Sequence, residues 1–252
     1  MTIFVKNYIM RAFIEKINEE WLDEFCYVSK QALIDRGYTI LPFDGDDMER
    51  SLVTKNINRD KDICIGSVQA TNKFFELCGI EPPTYLGYPE QLKKYLGRNI
   101  ELTTFGELDN NFPYFVKPAT EIKLFTGDVV DKPTHLEYLE KFDNCKSDTK
   151  LYKSELVEFV TEYRVSVSNG KVYGVKHYKG DFMKFIDTSV IDSMIRDFTD
   201  CPSAFSLDVG LTDDGRTLLV EVNDYWALGS YGLEGKDYAL LCARRMREIL
   251  KR

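Results

Sequence analysis

The sequence predicts an α/β protein, and three observations carry this prediction. Between residues 1 and 85, segments with strand periodicity alternate with segments with helical periodicity, which is typical of a small, largely parallel sheet covered by helices. Farther along, two pairs of alternating apolar segments are joined by Asn169-Gly170 and by Asp214-Gly215. Each pair predicts a β-hairpin, because glycine accepts the positive φ angles that tight hairpin turns need.

The N-terminal lobe, residues 1–85, is predicted from a succession of short elements. In chain order we expect a strand at 2–5, a helix at 11–36, strands at 38–41 and 62–65, and a helix that begins after Ser67 and ends at Gly79. The apolar residues of the long helix recur at helical spacing, so they are expected to form core rather than a binding surface.

Composition limits the classes of function. The net charge of −8 and the isoelectric point near 5.0 argue against general binding of nucleic acid or of anionic membranes, although they leave room for a local basic pocket. Six scattered cysteines without a C-x-x-C pair argue against a zinc cluster or a disulfide framework and predict a reducing, cytoplasmic setting. No apolar run has the length of a membrane span.

Two lysines in the middle of the chain are candidates for binding phosphate. Lys117 lies within the predicted strand at 112–118, among apolar neighbours that make a solvated surface role costly. Lys123 follows shortly after and could add a second ammonium charge over a polyphosphate. For Lys123 alone, a solvated position at the edge of a strand is an equally good interpretation.

The predicted hairpin around Asn169-Gly170 carries charges on its faces. Glu162 and Arg164 are two residues apart and share one face, as do Lys176 and Tyr178. If the arginine and the lysine point inward, their burial requires an anion, which favours an anionic ligand. The alternative is a surface ribbon with alternating charges.

The second hairpin, with strands predicted at 205–210 and 217–222, carries candidate metal ligands. Side-chain alternation lets Asp208, Glu221 and Asn223 converge on one point if the strands pair. Three hard oxygen donors suit Mg²⁺, which often completes its coordination with water and substrate phosphates. These residues could instead be solvent-facing side chains of an ordinary hairpin, but the apolar strands around them favour a paired or metal-bound state.

In this order, the segments resemble the ATP-grasp superfamily across roughly residues 66–250, and most closely its clade named for one arginine and two lysines. The resemblance implies two α+β subdomains gripping ATP, at 86–150 and 151–252, after the N-terminal lobe. It also implies a role for each candidate residue: Lys117, Lys123 and Glu162 at the nucleotide, Glu155 and Val157 in a hinge that meets adenine, Arg164 and Lys176 in catalysis, and Asp208, Glu221 and Asn223 at Mg²⁺. One departure is the segment 119–123, which lacks the glycines of the usual phosphate-covering flap.

The activity implied by the resemblance is ATP-dependent ligation of a carboxylate to an amine. The acid, a small molecule or a peptide, would form an acylphosphate with release of ADP, and the amine would then displace phosphate. The loop 226–232 is expected to line the acceptor pocket. Two alternatives remain open at this point: a phosphotransferase with the same fold, and a nucleotide-binding module without turnover. The sequence does not indicate an oligomeric state.

Overall fold

The computed structural model describes residues 9–45, 47, 50, 52, 56–120 and 124–251, and it has the mixed architecture of helices and strands that the sequence predicts. Its described strands form three sheets of four strands each. The predicted strand at 2–5 and the candidate residue Lys123 lie outside the described residues. Within the described ranges, no helix is both long and apolar enough to cross a membrane.

The N-terminal sheet is built around its first strand. Its elements are β1 (Met10–Ile17), β2 (Glu20–Trp21), α1 (Glu24–Asp35), β3 (Tyr38–Asp44), β4 (Asp62–Ile65) and α2 (Val68–Leu77). Strand β1 pairs in parallel with β3 and β4 and antiparallel with β2. Ser67 caps α2 as predicted, because its hydroxyl accepts a hydrogen bond from the amide of Ala70 at 3.1 Å.

The prediction of one helix over 11–36 was wrong for its first half. Residues 12–14 (Ala-Phe-Ile) are fully buried, as expected of a strand that lies in the middle of a parallel sheet and is covered on both faces. Such a continuous apolar run satisfies helical spacing by chance. The helix begins at Glu24, where Asp23 provides the cap and its carboxylate accepts from the Glu24 amide at 2.6 Å.

The central sheet contains four antiparallel strands in the order β5-β8-β6-β7. Its elements are β5 (Ile100–Thr104), β6 (Tyr114–Pro118), β7 (Asp128–Val130), α3 (Pro133–Phe142) and β8 (Lys150–Ser154). A short 3-10 helix, Glu90–Tyr95, precedes the sheet, where the sequence predicts a short helix at 88–96. Strand β6 carries Lys117 in the interior of this sheet, between β8 and β7.

The C-terminal sheet has the order β10-β9-β11-β12 and contains both predicted hairpins. Its elements are β9 (Phe159–Ser168), β10 (Lys171–Gly180), α4 (Thr188–Asp197), β11 (Ala204–Thr212), β12 (Thr217–Asp224) and α5 (Gly235–Leu250). The turn of the first hairpin has positive φ at both Asn169 and Gly170, which explains that residue pair. One sheet face packs Val165, Leu207 and Val222 into a core, so the opposite face holds the polar residues.

The helix α5 joins the C-terminal sheet to the N-terminal lobe. Its buried residues share one hydrophobic cluster with the N-terminal sheet and with Tyr225 and Trp226. Buried Arg245 also pairs with Asp224, at the end of β12, through Nε–Oδ1 (2.7 Å) and Nη2–Oδ2 (2.6 Å). The domain boundaries predicted at residues 85 and 150 stay a prediction. The hydrophobic cluster around α5 contains residues from both sides of residue 85.

Candidate functional site

One half of the candidate site lies where β12 approaches β6. The Lys117 ammonium donates to Glu221 Oε2 in a close ion pair and to the Tyr85 hydroxyl at 2.8 Å, while that hydroxyl donates to Glu221 Oε2 at 3.0 Å. The ring of Tyr88 lies 4.8 Å from the ammonium. Burial lowers the pKa of Lys117, but the Glu221 carboxylate and the tyrosines more than offset this and raise it above its ordinary value. Lys117 is therefore a buried, fully charged ammonium.

The other half of the site is a bidentate ion pair between β9 and β11. Arg164 Nε donates to Asp208 Oδ1 at 2.7 Å, and Nη2 donates to Oδ2 at 2.6 Å. The two residues are direct cross-strand partners in the sheet, so the backbone register holds them together. Burial lowers the pKa of Arg164, but the pair with Asp208 raises it above its ordinary value.

The Arg164 guanidinium also contacts an aromatic ring. The Tyr231 ring lies 3.8 Å from the guanidinium carbon, and Tyr178 meets the Tyr231 ring edge-on with ring centroids 5.5 Å apart. The remaining nitrogen, Nη1, is buried and has no hydrogen-bond partner among the described residues. A buried donor without a partner is costly, so this nitrogen is suited to an anionic ligand.

Asn223 links the two ion pairs. Its Nδ2 atom lies 3.2 Å from Asp208 Oδ2 and 3.2 Å from Glu221 Oε1. Asp208 lies opposite Glu221 in the hairpin, and Asn223 follows two residues later on the same face. The hairpin pattern therefore brings together the three residues that the sequence singled out, and their role as metal ligands stays a prediction.

This group of side chains fits a metal that arrives with further oxygen ligands. It provides two carboxylates and one amide, and no cluster of three or more His, Cys, Asp or Glu side chains suited to a metal occurs in the described part of the chain. Both carboxylates are already paired with cations of the protein. The donor set thus matches Mg²⁺ held partly by phosphate oxygens, rather than a complete protein cage.

Glu162 lies beside this cluster and pairs with a lysine that the sequence did not single out. The Glu162 carboxylate accepts from the Tyr178 hydroxyl at 2.7 Å and from Lys179 Nζ at 2.6 Å. Lys176 lies opposite Arg164 on the edge strand β10 and is half-buried. An irregularity in the register between His177 and Lys179 brings Lys179 opposite Glu162, which regular alternation could not anticipate.

The predicted hinge connects the central and C-terminal sheets. Glu155 and Val157 lie between the last residue of β8 and the first of β9. The Glu155 carboxylate accepts from the Asn99 amide at 2.9 Å, and the Glu155 amide donates to the Asn99 carbonyl at 3.2 Å. Contact of this segment with adenine stays a prediction, as does the role of Lys123.

Four residues that shape the site were not among the predicted site residues, although Tyr231 lies in the loop 226–232 that was expected to line the acceptor pocket. Tyr85 and Tyr88 surround Lys117, Tyr231 covers Arg164, and Arg98 holds β12 through the carbonyls of Leu219 (3.0 Å) and Val220 (3.1 Å). None of them belongs to a periodic pattern, and each reaches the site from a loop or from the entrance to a strand. For Tyr85 and Tyr88, the available signal was their place close to Pro82-Pro83.

Several solved structures with a similar fold are ligases or synthetases by name. D-alanine–D-alanine ligase from Bacillus anthracis, complexed with ATP, matches with a TM-score of 0.57 and 15% identity, over 96% of this chain and 99% of that chain. N5-carboxyaminoimidazole synthetase from Staphylococcus aureus matches with a TM-score of 0.57 and 10% identity, over 94% and 77% of the two chains. L-amino acid ligase from Bacillus licheniformis matches with a TM-score of 0.54 and 12% identity, over 96% and 75%. At such identities the likeness shows the fold alone.

Among curated proteins, no sequence matches this chain. Residues 95–241, more than half of the chain, match the second family of ATP-grasp domains in the clade named for one arginine and two lysines. This range contains every candidate site residue, from Lys117 to Asn223, and it confirms the resemblance drawn from the motifs. The chain therefore belongs to the arginine-and-two-lysines clade of the ATP-grasp family.

Proposed function

We propose that the protein is an ATP-dependent carboxylate–amine ligase, with ATP and Mg²⁺ as cofactors and a small-molecule or peptide carboxylate and an amine as substrates. The observation that carries the proposal is the pair of buried ion pairs, Lys117–Glu221 and Arg164–Asp208, joined by Asn223 on one sheet face. Buried ion pairs add little to stability compared with apolar residues of similar volume. Such a charged cluster inside an ATP-grasp domain is therefore better suited to binding charged ligands than to stabilising the fold.

The proposed reaction has two steps. A carboxylate oxygen of the acid attacks the γ-phosphorus of ATP, the bond from that phosphorus to the β,γ-bridging oxygen breaks, and ADP leaves. The amine nitrogen then attacks the acyl carbon, the bond from that carbon to the phosphate oxygen breaks, and the amine loses a proton. Bound Mg²⁺ would offset negative charge on the phosphates, held by Asp208, Glu221 and Asn223.

The lysine and arginine side chains would stabilise the remaining negative charge of the phosphates and of the reaction intermediates. Lys117, and Lys123 by its place in the sequence, would bind phosphate oxygens as point charges. Arg164 would direct Nη1 toward the charge that develops on the transferring phosphoryl group and on the tetrahedral intermediate. Because the Tyr231 ring holds the guanidinium in place, little reorganisation is needed when that charge appears.

The test is to trap the activated acid. The protein is incubated with ATP, Mg²⁺ and a pool of metabolites and peptides, with and without hydroxylamine, and the products are identified by mass spectrometry. A ligase gives hydroxamates in proportion to the ADP released. A stable phosphate ester without free phosphate would identify a phosphotransferase instead, and an absence of ADP with every pool would leave only nucleotide binding.

The role of Arg164 provides a second arm of the test. Arg164→Ala should lower the rate far more than the affinity for ATP, because its contact strengthens as charge develops in the transition state. Rates come from ADP release and affinities from calorimetry. Equal losses in both quantities would assign Arg164 to ground-state binding.

A further inference from the structure

In the part of the chain that the structure describes, the two ion pairs of the candidate site contain equal numbers of positive and negative side chains. Lys117 and Arg164 contribute two positive charges, and Glu221 and Asp208 contribute two negative charges. The members of each pair are at most 13% exposed in their side chains, so water screens them weakly. Each carboxylate predicted to bind the metal is therefore paired with a predicted site cation: Glu221 with the phosphate-binding candidate Lys117, and Asp208 with the catalytic candidate Arg164.

A bare divalent cation is at a disadvantage in such a cluster. Lys117 occupies Glu221 Oε2, and Arg164 donates to both oxygens of Asp208. A metal ion that binds the remaining lone pairs of these carboxylates must either lie beside a buried cation of the protein or displace it. The displaced cations would remain nearby in a buried setting, without partners and close to a new positive charge. Like charges at such distances repel by several kcal/mol even at an effective dielectric constant of about 20.

A metal–nucleotide complex removes this disadvantage. The triphosphate carries more negative charge than the metal carries positive charge, so it offers new partners to both displaced cations. Lys117 would exchange Glu221 for a phosphate oxygen while keeping the Tyr85 hydroxyl and the Tyr88 ring. The unpartnered Nη1 of Arg164 gives that side chain a donor for phosphate as well.

We propose that Lys117 and Arg164 are exchangeable counter-ions that close the metal site until a nucleotide arrives. The site then takes the divalent metal–nucleoside triphosphate complex and excludes the free metal ion. This inference rests on nucleotide binding under the proposed function, but it does not depend on ligation. It also implies that removal of the Lys117 side chain has opposite effects on two affinities. The affinity for the nucleotide falls, and the affinity for the metal ion alone rises.

The experiment titrates Mn²⁺, a spectroscopic substitute for Mg²⁺, into the protein with and without a non-hydrolysable ATP analogue. Free Mn²⁺ is followed by electron paramagnetic resonance, and heats are measured by calorimetry. For the wild-type protein we expect binding with the analogue present and at least about ten-fold weaker binding without it, which corresponds to about 1.4 kcal/mol.

Lys117→Met is the decisive variant. We expect its affinity for Mn²⁺ alone to rise about ten-fold or more, since Glu221 loses its counter-ion. Its affinity for the analogue should fall about ten- to a hundred-fold, because a hydrogen bond between charged groups is lost. Lys117→Arg keeps the cation and should leave the binding of metal alone as weak as in the wild type.

Lys153→Met is the matched control. Lys153 pairs with Asp109 at 2.9 Å, and its ammonium lies 4.8 Å from the Tyr114 ring, so its surroundings imitate those of Lys117. It lies next to Tyr152, the cross-strand partner of Lys117, and so projects from the opposite sheet face. This change should alter neither titration. If Lys117→Met does not fold, Arg164→Met tests the same idea at Asp208.

Three outcomes separate the possibilities. Wild-type binding of Mn²⁺ that is equally tight with and without the analogue overturns the inference and leaves the proposed function standing. An unchanged affinity for metal alone in folded Lys117→Met and Arg164→Met also overturns it. If the wild type does not bind the analogue at any metal concentration, the proposed function itself fails, and this inference fails with it.

Discussion

Lys117 shows what a charged side chain requires in order to be buried. Only 5% of the residue is exposed, so partners within the protein replace the water that its ammonium would otherwise bind. Glu221 supplies the opposite charge, the Tyr85 hydroxyl accepts a further hydrogen bond, and the Tyr88 ring offers its negative face. Glu221 is the partner that the proposed function also assigns to the metal, so its removal is the most direct test at this scale.

Glu221→Ala should abolish Mg²⁺-dependent ATP turnover while the chain still folds. Some loss of stability is expected because Lys117 loses its counter-ion, but it keeps the Tyr85 hydroxyl and the Tyr88 ring as partners. The change removes a carboxylate oxygen donor from the predicted metal site, and Asp208 and Asn223 then remain as its only predicted protein ligands. ADP release across a range of Mg²⁺ concentrations measures the effect, with circular dichroism as the test of folding. The control is Glu101→Ala, an exposed carboxylate 3.7 Å from Lys153. Turnover with the wild-type dependence on Mg²⁺ would remove Glu221 from the site.

Tyr231→Leu should lower kcat about five- to ten-fold and change the affinity for ATP about two-fold at most, because a stacked cation–π contact contributes roughly 1 kcal/mol or more when desolvated. The ring orients the Arg164 guanidinium without occupying its unpartnered Nη1. Tyr231→Phe keeps the ring and should restore kcat. Tyr138→Leu changes a tyrosine of similar exposure on α3, 51% against 47%, and should have no effect. A Phe variant as slow as the Leu variant would assign the effect to the hydroxyl.

At the scale of elements, the sequence correctly predicted the strands and turns that have a local residue pattern. It did not predict the features that depend on burial or on contacts with distant parts of the chain. Alternation and glycine turns located the strands of both hairpins, and with them the convergence of Asp208, Glu221 and Asn223. The strand β1 was missed because burial on both faces removes alternation. The contacts of Tyr85 and Arg98 could not be predicted either, since they join residues more than a hundred positions apart.

Arg98→Met should destabilise the protein by about 2–4 kcal/mol, because hydrogen bonds to charged groups contribute about 1.5–3 kcal/mol each and buried acceptors lose their donor. Arg98 donates to the carbonyls of Leu96 (2.9 Å), Leu219 (3.0 Å) and Val220 (3.1 Å), and so ties the entrance of the central sheet to β12. Urea denaturation measures the loss. Arg196→Met, at an exposed arginine of α4 that donates to Ser193 at 3.0 Å, should change stability by less than about 0.5 kcal/mol. Equal stabilities of the two variants would show that the three carbonyl contacts are not formed.

At the scale of the whole molecule, the N-terminal lobe and the helix α5 complete one core. The shared cluster includes the N-terminal sheet, α1, α2 and the buried face of α5. Trp226, on the loop that leads toward Tyr231, packs edge-on against Phe75 of α2 with ring centroids 5.5 Å apart. Ser230 on the same loop donates to Glu24 of α1 at 3.2 Å. The N-terminal lobe thus supports the loop that covers Arg164. The lobe contributes to the site in this way although it contains none of the predicted site residues.

A fragment of residues 86–252 should fail to fold cooperatively, because it would expose the buried faces of Trp226, Tyr238 and α5 to water. We expect the full chain to unfold in one transition that is the same by tryptophan fluorescence and by circular dichroism, and the fragment to bind a hydrophobic dye without a sharp transition. The matched control is the full chain cut at a protease site inserted within residues 81–84, a largely exposed segment outside the sheets. The cut chain should keep its fold, since both pieces remain packed together, which shows that loss of the lobe rather than the chain break is responsible. A fragment that unfolds cooperatively and binds nucleotide would show instead that the ATP-grasp domain is stable without the lobe.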